Sequence, residues 1–165
     1  MATTVADLDP RLHSDARAFY EALNDLVRIV QFRDRDRACC FDVSVTQCYA
    51  LEAVADEGPL TVNDLAARLY LDKSTASRVA AGLEAKGYVF RAGSPRDKRV
   101  VRLEATESGR ALCSRIQEGL SAEYAEMLRD FDPEVRAAMT RLLGRLSGSF
   151  AARVDASGGS CCVVR

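Results

Sequence analysis

Leu12, Ala16, Phe19, Leu23, Leu26 and Val30 recur at alternating intervals of four and three residues. This spacing predicts a long amphipathic helix from about Pro10 to Phe32 with one apolar seam. The pattern breaks at Arg33-Asp34-Arg35-Asp36-Arg37, where charges alternate. It resumes over Val45 to Ala55 as a second helix, with Val45, Cys48, Tyr49, Leu51, Glu52 and Val54 on or near its apolar side. Gly58-Pro59 turns the chain. Thr61 then caps a short helix, with Asp64 three residues on to return the bond, and Leu65, Ala66 and Leu69 form its inward stripe. Asp72 caps another helix, in which Ala76, Val79, Ala80 and Leu83 face inward, and Gly87 ends it in a left-handed conformation. Lys73, Ser74, Thr75, Ser77 and Arg78 cluster at the start of that helix and face outward.

The period then changes. Tyr88-Val89-Phe90-Arg91 and Val100-Val101-Arg102-Leu103 are rich in β-branched and aromatic residues and predict two strands. The stretch from Ala92 to Arg99 between them is a charged, turn-forming loop. Helical spacing returns in Leu112, Ile116, Leu120, Tyr124 and Leu128. After Asp132-Pro133 opens a new helix, it continues in Val135, Met139, Leu142, Leu146 and Phe150. The fold class is mainly α with a small β-hairpin: a winged helix-turn-helix with long N- and C-terminal helices. These terminal helices carry more apolar stripe than one small winged helix can cover, which predicts a homodimer. The chain divides as a single domain, 1–165, with the winged helix at 43–104, dimerisation helices at 10–35 and 106–154, and a flexible cysteine-containing tail at 155–165.

Leu71-Asp72-Lys73-Ser74-Thr75-Ala76-Ser77-Arg78, the wing Asp97-Lys98-Arg99 and Thr106-Glu107-Ser108-Gly109-Arg110 together resemble the MarR family of transcriptional regulators, in order and spacing over nearly the whole chain. The resemblance implies a homodimer with interlocked terminal helices and places Arg99 in the DNA minor groove. It also implies one of two modes of sensing. In the first, a small phenolic or aromatic ligand sits between the dimer helices and the winged helix, where Phe41, Tyr49 and Phe90 are the candidate lining residues. In the second, the family's peroxide sensors use a cysteine near the start of the first helix. No cysteine precedes Cys39 here, so that second mechanism does not carry over.

Charge refines the picture. The formal net charge is −1, which argues against nucleic acid, yet phosphate binding needs a local patch rather than a basic protein. From Lys86 to Arg102 the basic residues are Lys86, Arg91, Arg96, Lys98, Arg99 and Arg102, against Asp97 alone. Lys73, Ser74, Thr75, Ser77 and Arg78 therefore become the candidates for base edges in the major groove, with Arg78 suited to bidentate contact with guanine. Arg96, Lys98 and Arg99 become the candidates for phosphates and the minor groove, with Asp97 orienting Arg99. The expected partner is double-stranded operator DNA, bound by a repressor that a small inducer releases. A degenerate winged helix used for protein contacts is the alternative class.

Enzymatic chemistry has little to build on. His13 is the only histidine, there is no Gly-rich phosphate loop, and no cysteine pair has Cys-x-x-Cys spacing. No cofactor is required. No signal peptide or membrane-length apolar run occurs, which predicts a cytoplasmic protein without membrane contact. Its six cysteines then rest as thiols. Cys113 and Cys48 read as packed core thiols. Cys39-Cys40 and Cys161-Cys162 have no packing role in the pattern and are candidate ligands for a soft ion, As(III), Hg(II), Zn or Cu(I), or a site of oxidation.

Overall fold

A computed structural model describes residues 9–38, 41–93 and 100–156. The element order is α1 (Pro10–Ala38), α2 (Val45–Glu57), α3 (Val62–Arg68), α4 (Lys73–Ala85), β1 (Val89–Gly93), β2 (Val101–Ala105), α5 (Glu107–Leu128) and α6 (Pro133–Ala156). Among the described residues no helix is long and apolar enough to cross a membrane.

The caps follow local chemistry. Thr61 accepts from the Asp64 backbone N–H at 3.1 Å, and the Asp64 carboxylate takes the Thr61 N–H at 2.9 Å, a reciprocal box that starts α3. The Thr61 hydroxyl also donates to the Asp64 carboxylate at 2.8 Å, and the two bonds that carboxylate accepts from Thr61, backbone N–H first and hydroxyl second, hold it below the usual range. Ser44 and Gln47 form the same box at α2, a Ser-x-x-Gln signal present in the sequence. At the end of α4, Gly87 (φ 73°) lets its own N–H reach the Glu84 carbonyl at 2.9 Å while Tyr88 N–H reaches Leu83 at 3.0 Å. This paired closure satisfies carbonyls the helix would otherwise leave open. The end of α3 closes in the same way through Tyr70 N–H to Ala67 and Leu71 N–H to Ala66, but the left-handed position there is Tyr70, at φ 53°. An L side chain in that conformation costs about 1–2 kcal/mol.

β1 and β2 pair antiparallel, with Val89 opposite Ala105 and Gly93 opposite Val101. Leu60 bridges to Leu103 on the outer side, so the segment entering α3 is stitched to the sheet edge. Leu51 and Val54 of α2, Leu65 of α3, Leu83 of α4, Val89, Leu103 and Leu112 are fully buried and form the centre of the core. Each contributes about 1.5–3 kcal/mol by leaving water.

The opening turn of α5 is fixed against the end of α4. Thr106 accepts from Gly109 N–H at 3.0 Å and donates its hydroxyl to the Gly87 carbonyl at 2.7 Å, and Ser108 donates to the same carbonyl at 3.0 Å. A Cβ on Gly109 would lie 2.1 Å from the Tyr88 carbonyl oxygen, so only glycine fits there. The Thr106-Glu107-Ser108-Gly109 run is thus a clamp between the long helix and the helix-turn-helix.

Several boundaries differ from the sequence reading. α1 does not stop near Phe32 but continues to Ala38. The charged run propagates the helix because Arg33 and Asp34 find partners on α2 and α5, as described below. Tyr88 lies outside β1, and β2 extends two residues beyond Leu103. The apolar seams of α1 and α6 are largely uncovered: Leu12, Phe19 and Leu26 on α1 and Val135, Met139, Leu142 and Phe150 on α6 are exposed, and α6 buries no residue.

Candidate nucleic-acid interface

Asp72 organises the first turn of α4. Its Oδ1 takes the Thr75 backbone N–H at 2.9 Å and the Ser74 hydroxyl at 2.5 Å, and its Oδ2 takes the Thr75 hydroxyl at 2.7 Å. The Ser74 hydroxyl, then the Thr75 hydroxyl and N–H, hold the Asp72 carboxyl far below the ordinary carboxylate range, so it is ionised at neutral pH. One turn on, the Arg78 guanidinium donates to Thr75 Oγ1 at 3.1 Å. Lys73, Ser74 and Arg78 are exposed, Thr75 and Ser77 are partly covered, and Ala76 between them is fully buried. The sequence-predicted cluster is therefore brought together on the outer side of α4. Lys73 has no ionic partner among the described residues.

The basic stretch around the hairpin is less free than its composition suggests. Arg91 of β1 pairs with Glu84 of α4 at 3.0 Å, which braces the wing against the helix. Arg102 donates to the Pro59 carbonyl at 2.9 Å, and Lys86 lies 3.6 Å from the Asp42 carboxylate. Arg96, Asp97, Lys98 and Arg99 lie outside the described residues, as do Cys39, Cys40, Cys161 and Cys162.

Behind this face a cavity of about 270 Å³ opens between the end of α1, α2 and the middle of α5. Its apolar lining includes Val30, Phe41, Ile116 and Leu120, and its polar corner is Arg33, Asp34, Tyr49 and Tyr124. Arg33 bonds Asp34 at 2.8 Å and the Tyr124 hydroxyl of α5 at 2.9 Å, with its guanidinium 5.1 Å from the Tyr124 ring centre. Asp34 in turn accepts the Tyr49 hydroxyl of α2 at 2.9 Å. Arg33 is pushed up by the Tyr124 hydroxyl and by Asp34, so it remains a cation. Burial, then the bond to Asp34, raises the Tyr49 phenol to about 12. Two neighbouring charged residues of α1 thus tie the arm to both α2 and α5. The alternating charge run marked this place in the sequence as an interruption, and the partners 15 and 91 residues away were not readable from it.

Phe41 and Tyr49 line the cavity as expected, whereas Phe90 stands exposed on β1 and does not. Cys113 is buried and Cys48 is partly buried, both free thiols in the cavity wall. Burial, reinforced by Asp56 and Glu52, pushes Cys113 up to about 11, and burial with Glu52 raises Cys48. Both are protonated at neutral pH and behave as packing groups. Among the described residues no three His, Cys, Asp or Glu side chains are grouped to hold a metal ion.

Comparison with known proteins follows the same outline. A family model described as MarR family matches residues 41–100, the span from shortly before α2 to the residue before β2. An uncharacterized HTH-type transcriptional regulator of Mycobacterium bovis, Mb0904, is 33% identical over 147 residues, covering 87% of this chain and 98% of the relative. The chain belongs to the MarR family of DNA-binding transcriptional regulators. YxaD, an uncharacterized HTH-type transcriptional regulator of Bacillus subtilis, is 29% identical over 78% of this chain and 90% of its own length. A MarR family protein from Bacillus stearothermophilus superposes with a TM-score of 0.75 at 25% identity, covering 87% of this chain and 98% of that one. Streptococcus pneumoniae FabT, solved in complex with DNA, shares the fold with a TM-score of 0.73 at 21% identity, over 82% of this chain and 96% of FabT.

Proposed function

We propose that this MarR-family regulator is a homodimeric repressor that grips a pseudo-palindromic operator with two α4 helices and two wings. In this reading it lets go when a small aromatic inducer enters the cavity between α1, α2 and α5. The observation that carries the release mechanism is the Arg33-Asp34 tie. It is the described polar link from the α1 arm to Tyr49 of α2 and Tyr124 of α5, and it forms one wall of the cavity. A ligand that bonds Arg33 or Tyr49 competes with that tie and changes the angle between arm and winged helix. Release requires that the ligand bind this altered state more tightly than the operator-competent one.

DNA contact is assigned to Lys73, Ser74, Thr75, Ser77 and Arg78 on α4 and to Arg96, Lys98 and Arg99 with Asp97 in the wing. Dimerisation is assigned to α1, α5 and α6, whose exposed seams need a partner. The thiol-sensing alternative rests on Cys39, Cys40, Cys161 and Cys162. The two described cysteines, held as neutral thiols, do not add to it.

Selection from random duplexes tests the DNA half. An enriched inverted repeat with half-sites about one helical turn apart is expected. Its affinity should fall about a hundredfold or more between roughly 50 and 200 mM salt, because several cations meet phosphates. No enrichment, or a flat salt response, overturns it. Benzoate and phenol serve as probes for the release half: each should weaken operator binding by the parent protein and not by Arg33→Ala. Equal weakening of both proteins, or of neither, removes the cavity from the mechanism.

A further inference from the structure

The hydrogen bonds at the start of α4 have a fixed polarity, and it restricts what that helix can read; the point rests on the assignment of α4 as the base-reading helix. A carboxylate can only accept. With Asp72 ionised, the Ser74 hydroxyl at 2.5 Å and the Thr75 hydroxyl at 2.7 Å must both donate to it. The Thr75 oxygen also accepts from Arg78 at 3.1 Å. Ser74 is exposed, and its outward side therefore offers lone pairs and no proton.

We infer that Asp72 is a specificity-determining residue: by holding the proton of Ser74 it makes that side chain an acceptor only, so the helix selects a base that donates, adenine or cytosine, on the strand Ser74 reaches. In the major groove the donors are adenine N6 and cytosine N4, whereas thymine and guanine present acceptors. The same polarity excludes a phosphate as the partner of Ser74, because a phosphate diester also has no proton to give. Arg78, four residues on and therefore on the same side of the helix, is steadied by Thr75 and presents its remaining donors to guanine. Asp72 itself touches no base in this scheme; it acts by orienting Ser74 and, through Thr75, Arg78.

The test uses the full chain and duplexes selected from a random library, comparing the parent with Asp72→Ser and Ser74→Ala. Serine is as good a helix cap as aspartate, so Asp72→Ser keeps the start of α4 while releasing the Ser74 and Thr75 hydroxyl protons. The parent should favour adenine or cytosine over thymine or guanine at one position of each half-site by about threefold to tenfold, the worth of one hydrogen bond. Asp72→Ser should lose that preference or turn it towards thymine or guanine, and Ser74→Ala should lose it. The inference is overturned if Asp72→Ser, folded by circular dichroism, selects the same bases as the parent at every position. It is equally overturned if Ser74→Ala weakens all sequences alike and leaves the base preference of the parent unchanged, the signature of a backbone contact that reads no base. Should Asp72→Ser fail to fold, Ser74→Ala decides alone. A parent that enriches no duplex defeats the assignment of α4 itself, which is a different failure.

Discussion

The winged-helix body and the helical arms of this chain solve different problems. Every fully buried side chain among the described residues lies between Val43 and Cys113. That body closes on itself: α2, α3, α4, the hairpin and the first turns of α5 share one core. α1 and α6 are longer than any helix of the body, yet they bury none of their described side chains. Their seams are as regular as those of the body. The difference is that the body's stripes meet within one chain, and those of the arms are left uncovered in it, which is why dimerisation is proposed there. Capping tells the same story. α2, α3, α4 and α5 each start at a side-chain cap, reciprocal at α2 and α3, whereas α1 runs through a charged stretch in which Arg33 and Asp34 are held by partners on α5 and α2.

Cutting into the body should produce the largest loss. Leu83 is 1% exposed at the centre of the core, and Leu83→Ala should lower unfolding free energy by about 2–5 kcal/mol in urea titration. The association state of the folded fraction should not change. Charging the arms should do the converse. Leu142→Arg with Leu143→Arg on α6 should weaken self-association about a hundredfold or more by sedimentation equilibrium, as loss of a central interface anchor does. Far-UV circular dichroism should still report a folded body. If the double variant assembles like the parent, the seam of α6 is not an interface.

The joint between the two regions should respond less. Thr106→Ala removes the cap of α5 and leaves the Gly87 carbonyl with Ser108 alone, and should cost about 1–2 kcal/mol in thermal denaturation. The buried thiol beside that joint gives a pH signature. Cys113 has its folded value raised to about 11, so its contribution is complete below the unfolded thiol range near 8.5 and fades as pH rises towards 11. Alkylation of Cys113 by iodoacetamide at pH 8 should accordingly be slow in the folded protein and fast in urea, read by mass spectrometry. The smallest effect is expected at Tyr70. Tyr70→Gly relieves the left-handed strain at the end of α3 and should stabilise the body by at most about 1 kcal/mol in urea titration.

Much of the body was legible because its signals are local. Thr61 with Asp64, Asp72 and Gly87 each act on groups within a few residues, and each stands where the sequence places it. The Ser44-Gln47 box was equally local and could have been read from its spacing. Tyr70 could not, because a tyrosine carries no sign that the closing hydrogen bonds of a helix end will fall on it in a conformation that glycine usually takes. Nor could the Arg33-Asp34 tie, whose partners Tyr49 and Tyr124 are fixed by how three helices converge rather than by any periodicity. The hydroxyl polarity at Asp72 lies between these cases. The residues were marked as outward-facing, but which of them gives a proton and which only accepts follows from the hydrogen bonds, not from the spacing.

Sedimentation velocity of the full chain, alone and mixed with a duplex taken from the selection, reads the arms and the body together. A dimer of the 18.0 kDa chain is expected in both samples, with one dimer carried by each duplex. Free protein sedimenting as a monomer, or a complex holding a single chain on a full inverted repeat, would contradict the pairing of two winged-helix bodies through α1 and α6.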